Sequence, residues 1–157
     1  MSGHPVLAVV GHPNKGKSSV VAALTQNDQV EISPDSGTTR VAQRFSLKLD
    51  GRTVFELVDT PGFQRAGKCL AWLKQESVTA DQRPERVAAF VRQFRDSGSF
   101  TDEVELLTPI LQGAGIIYVV DGSLPYSPEY ETEMEILRWT GRPRLALINP
   151  IGGEQYV

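Results

Sequence analysis

The stretch Gly11-His-Pro-Asn-Lys-Gly-Lys-Ser-Ser19 constrains this chain more than any other. It follows the continuous apolar run Val6 to Val10 and leads into Val20-Val21-Ala22-Ala23-Leu24, so it joins a buried strand to a helix. Gly11, Gly16, Lys17 and Ser18 hold the spacing of a phosphate loop. A polyphosphate needs several backbone N–H groups turned inward, and two glycines permit a loop tight enough to wrap it. The start of the helix adds partial positive charge and unpaired donors. Lys17 reaches for the β- and γ-phosphates, and the Ser18 hydroxyl is placed to ligate Mg²⁺. A glycine-rich turn with an incidental lysine is the plainer reading; the flanking strand and helix weigh against it.

Past a helix over residues 17–25, the polar stretch 29–40, with Pro34, Ser36 and Gly37, reads as a loop. Phe45, Leu47 and Leu49 then alternate with polar neighbours. Asp50-Gly51 marks a two-residue hairpin between strands Val41–Leu49 and Thr53–Val58. The second strand runs into Asp59-Thr60-Pro61-Gly62, which puts Asp59 at the sheet edge that carries the phosphate loop. Leu70, Trp72 and Leu73 suggest a short helix, and Val87, Phe90, Val91 and Phe94 have helical spacing after Pro84. Thr101 is read as the cap of a third helix, with Asp102 and Glu103 in its first turn and Pro109 kinking or ending it. Gly115–Val120 is a buried strand, Ser127-Pro128 caps a helix closed by Gly141, and Arg144–Ile148 is the last strand.

Alternating strands and helices give an α/β, doubly wound, three-layer fold: a mostly parallel sheet with one antiparallel hairpin strand. Nine residues follow Ile148, too few for the further helix and strand that normally close such a sheet. The expectation is one domain over 1–157, either a fragment of a longer protein or a sheet with one exposed edge. Cys69 as the lone cysteine excludes an internal disulfide and fits a reducing, cytoplasmic setting. The 16 basic and 19 acidic residues leave a net charge of −3, without the basic face of a nucleic-acid domain.

Three motifs in order, Gly11-X-Pro-Asn14-X-Gly-Lys-Ser, Gly37-Thr38-Thr39-Arg40 and Asp59-Thr60-Pro61-Gly62, resemble the GTPases of the Era, Der and TrmE group. The match runs from about Val6 to Asn149. The resemblance implies a nucleotide-binding set of Gly11, Asn14, Lys15, Gly16, Lys17, Ser18, Ser19 and Asn149. It implies Mg²⁺ held by Ser18, by Thr39 (with Thr38 as the alternative) of a mobile loop ordered by triphosphate, and by Asp59 through water. Lys17, Thr39, Asn14 and Gly62, whose N–H would sense the γ-phosphate, are the residues expected to act in catalysis. The segment 63–100 is then a longer-than-usual helical segment beside the second switch. Homodimerisation through the switch regions fits the resemblance. Ribosome, RNA or membrane contacts would lie in regions outside this chain.

Two departures qualify the resemblance. Phe63 stands where Ras-like enzymes carry the glutamine that positions water, an absence shared by the group resembled here; Gln64 is one position off. In TrmE-like members an asparagine placed as Asn14 helps hold K⁺ beside the phosphates; shaping the loop by local backbone bonds is the plainer role. Arg40 and Arg65 are other sources of positive charge. At the base site, Asn149-Pro150-Ile151-Gly152 replaces the group's Asn-Lys-X-Asp, so the carboxylate that reads guanine is missing. The sequence therefore supports a GTP-hydrolysing switch first. A P-loop enzyme of relaxed or adenine preference and a nucleotide-binding interaction module with little turnover remain beside it.

Overall fold

The structure is a computed structural model that describes residues 4–11, 30–34, 43–122, 125 and 127–149. The described strands form one six-stranded sheet. They are β1 (Val6–Gly11), β2 (Val30–Pro34), β3 (Gln43–Leu49), β4 (Arg52–Asp59), β5 (Gly115–Asp121) and β6 (Arg144–Asn149), in the spatial order β2-β3-β4-β1-β5-β6. β1 pairs in parallel with β4 and β5, and β5 in parallel with β6. β3 pairs antiparallel with both β2 and β4, so it is the one strand that runs against the others. Asp50 (φ 53°) and Gly51 (φ 79°) both adopt positive φ between β3 and β4, as a two-residue type I′ turn requires.

Residues 30–34 correct the expected loop: they form β2, paired through the backbone from Val30↔Leu49 to Pro34↔Phe45. Glu31, Ser33 and Pro34 gave no buried-strand pattern, yet proline is tolerated on an edge strand because one side of the ladder needs no donor. The helix expected over 17–25 lies outside the described residues.

Four helices are described: α1 (Ala66–Leu73), α2 (Arg83–Phe94), α3 (Thr101–Leu111) and α4 (Pro128–Trp139). The continuous apolar strands divide between two faces by simple alternation. Ala8, Val10, Ile116 and Tyr118 face one cluster with Leu73, Phe90, Leu106, Leu107, Ile136 and Leu137 of the helices. Val9, Leu47, Leu57 and Val119 form a second cluster on the opposite face, built from strand residues alone among the described residues.

Local signals explain most helix ends. Ser127 caps α4, its Oγ accepting the Glu129 N–H at 3.2 Å, and Gly141 (φ 71°) closes the end as expected. Pro109, expected to kink or end α3, lies inside it, and the helix runs two residues past it to Leu111. Thr101 is not the cap of α3. That place is taken by Phe100 in a left-handed conformation (φ 53°, ψ 35°), strained for a bulky side chain. Ring contacts with Phe90 at 5.0 Å and Phe94 at 4.8 Å hold it there.

Candidate functional site at the C-terminal edge of the sheet

The chain crosses from β4 on one side of β1 to β5 on the other, which makes the end of β1 the switch point of the sheet. Crevices that receive ligands open there, beyond the carboxyl ends of parallel strands. Gly11 ends β1 at that point and pairs with Val119. Asp59 ends β4, half-buried, in register with Val9, two residues before Gly11. Asn149 ends β6 in register with Asp121. Strand ends thus bring three of the expected site residues to one edge: Gly11, Asp59 and Asn149. Asn14, Lys15, Gly16, Lys17, Ser18, Ser19 and Thr39 lie outside the described residues, as do Arg40, Pro150 and Gly152.

The turn after Asp59 is locked to β1. Thr60 is buried, and both its N–H (3.2 Å) and its Oγ1 hydroxyl (2.8 Å) donate to the Val9 carbonyl. Gly62 is buried beside it. Phe63, only 2% exposed, turns into the helix-clad core, so its side chain anchors the segment and offers nothing to a phosphate. Gln64 and Arg65 are exposed, but their backbone N–H groups donate to Glu103 Oε2 of α3, at 2.6 Å and 3.1 Å. The Arg65 guanidinium lies over the Phe100 ring, 5.3 Å from its centre.

Sequence reasoning placed Glu103 in the first turn of α3 without a partner; the structure buries it to 1% exposure. Nothing in Thr101-Asp102-Glu103 marks which acid faces inward, so this partner was invisible in the sequence. Burial first, and then the charge of Glu103, push the Cys69 thiol well above the ordinary range. Cys69 is a buried, protonated small hydrophobe. Glu133 of α4 is also buried and accepts a hydrogen bond from the Tyr118 hydroxyl at 3.2 Å. A cavity of about 460 Å³ opens between residues 63–68 and the first turns of α4, lined by Phe63, Lys68, Glu129 and Glu133 among others. Among the described residues no group of three His, Cys, Asp or Glu could hold a metal by itself. Nor is any described helix long and apolar enough to cross a membrane.

A family of 50S ribosome-binding GTPases matches residues 6–149 of the chain. The GTPase Der of Hyphomonas neptunium is 31% identical over 117 residues, covering 73% of this chain and 23% of its own length. The GTPase Der of Polynucleobacter asymbioticus is 28% identical over 152 residues, covering 97% of this chain and 27% of its own length. The chain therefore spans about a quarter of the length of the curated relatives it matches. Among solved structures, the cytosolic domain of the T. maritima FeoB iron transporter in apo form is similar at a TM-score of 0.34 and 20% identity. That likeness covers 94% of this chain and 57% of that one, and is too loose to bear on the site.

Proposed function

The chain belongs to the family of 50S ribosome-binding GTPases, and from that premise we propose that it is a Mg²⁺-dependent switch that binds GTP and hydrolyses it slowly to GDP. The observation that carries this reading is the convergence of Gly11 and Asp59 on the switch point of the sheet, in adjacent registered strands. A phosphate loop leaving β1 at Gly11 would start beside the strand end that carries Asp59. Lys17 draws the β- and γ-phosphates, Gly16 and its neighbours cradle them, and the Gly62 N–H responds to the γ-phosphate. Ser18, Thr39 and Asp59 form an all-oxygen donor set, which suits Mg²⁺; bound there, the ion would neutralise charge between the β- and γ-oxygens.

With Phe63 buried, the position that carries the water-orienting glutamine in Ras-like enzymes offers it no side chain here. Asn14 would hold K⁺, whose charge stands in for that missing stabilisation. The base is read weakly, because Gly152 leaves guanine without its carboxylate acceptor. The setting is cytoplasmic, and contacts with ribosome, RNA or membrane belong to other parts of a longer protein.

The test is labelled-nucleotide binding and steady-state hydrolysis for the native chain, Lys17→Ala and Asn14→Ala, in potassium and in sodium at equal ionic strength. Lys17→Ala should weaken triphosphate binding by about 10–100-fold, because one charge-assisted contact inside the loop is lost. Turnover should be faster in potassium, and that advantage should vanish in Asn14→Ala. Unchanged binding by Lys17→Ala overturns the assignment of the loop, and equal rates in both salts overturn the role of Asn14.

A further inference from the structure

The stretch between β4 and α1 is irregular, and irregular backbone that is partly buried must find partners for its N–H groups. Here two consecutive donors, at Gln64 and Arg65, go to a single carboxylate oxygen of Glu103, 39 and 38 residues further along the chain. The same few residues are fixed twice more. Phe63 is sunk in the core, and the Arg65 side chain lies on Phe100, the residue that starts α3. Glu103 lies in the first turn of α3, three residues after the left-handed backbone at Phe100, and is 1% exposed.

We propose that Glu103 is the positioning residue of the segment that follows Asp59-Thr60-Pro61-Gly62, holding the Gly62 amide in place for a terminal phosphate. The inference rests on the GTPase reading and adds what makes the second switch respond to a triphosphate. An amide already held where the extra phosphate will be binds it without an ordering cost, so preorganisation strengthens the preference for triphosphate. The carboxylate supplies that order from a different helix. Through Phe100, Phe90 and Phe94 it also ties the phosphate edge to α2, so a change in that edge is felt across the helical segment.

The experiment compares the full chain with Glu103→Ala, Glu103→Asp and Glu103→Gln. It measures the affinity for GDP and for a non-hydrolysable GTP analogue, and the rate of tryptic cleavage after Arg65 and Lys68, identified by mass. Glu103→Ala should lose about tenfold in triphosphate affinity with GDP affinity unchanged, and cleavage should accelerate. Glu103→Asp keeps the charge but withdraws it by one methylene, and should show part of the same loss, so the result does not depend on Glu103→Ala folding. Glu103→Gln keeps an acceptor oxygen and should recover most of the triphosphate preference. An equal loss for both nucleotides, or a preference unmoved in Glu103→Asp, overturns the proposal while leaving the GTPase reading intact. A native chain that binds neither nucleotide overturns that reading, and this inference with it.

Discussion

The two ends of the proposed nucleotide site are built differently. On the β4 side, Thr60 is bonded twice to Val9, Phe63 is sunk in the main core and Glu103 holds the next two amides. On the β6 side, the strand that leads to Asn149 is the sheet edge, with Leu145 60% and Ile148 70% exposed. The phosphate end is thus fastened to the folding core, whereas the base end follows a strand that has one neighbour among the described residues. Perturbing the first should disturb stability and chemistry together. Perturbing the second should change preference with little effect on the fold.

Phe63→Ala is the sharpest way to break this contrast. Removing a fully buried aromatic ring leaves a cavity in the main core, and should destabilise the chain by about 3–5 kcal/mol in denaturant unfolding. Triphosphate affinity should fall in the same variant, because the ring anchors the residue next to Gly62. A loss below about 1 kcal/mol would show that the phosphate end is not anchored by the core.

The base end should show itself in selectivity. A site that hydrogen-bonds guanine through a buried carboxylate can reject other bases by about 10⁴-fold or more. With Gly152 in that position and its strand at the edge, GTP and ATP should compete within about tenfold of one another, a difference near 1.4 kcal/mol. Gly152→Asp should widen the gap towards GTP. Strong GTP selectivity in the native chain would mean that residues outside the Asn149–Gly152 stretch read the base, and that this end is as well organised as the other.

What was legible in the sequence follows the same division. The strand before the phosphate loop, the Asp50-Gly51 turn, the Ser127 cap and the Asp59 strand end all have causes within a few residues of themselves. Those causes are written locally, and the structure follows them. β2 was missed because an edge strand can be held by backbone bonds alone, with no apolar run to advertise it. The Thr101 cap was displaced because the aromatic contacts of Phe100 with Phe90 and Phe94 are made between helices. Glu103 escaped notice for the same reason: its partners lie 38 and 39 residues away, and helix periodicity does not show which first-turn acid turns inward. Of the site, the sheet edge and the motif at Asp59 were legible, and the fastening behind them was not.

The smallest expected effect bears on the edge strand itself. Leu145 is paired with Ile117 and Ile148 with Val120, so the two side chains lie on opposite faces of β6. Threonine keeps the β-branched shape of Ile148 and is itself favoured in strands at position 145, so the substitution reports on burial rather than on a loss of strand preference. Leu145→Thr and Ile148→Thr should each change unfolding free energy by no more than about 0.5 kcal/mol, since most of each side chain is already in water. The matched control is Leu57→Thr in β4, on the same face as Leu145 but fully buried, which should cost about 2 kcal/mol or more through lost apolar contacts and a buried hydroxyl. If Leu145→Thr cost as much as Leu57→Thr, the edge would be covered in solution, and the base end would share the rigidity of the phosphate end. If the costs separate as expected, the side chains of β6 contribute little to the core, and the relaxed base preference proposed from Gly152 gains a second structural ground in a loosely packed edge.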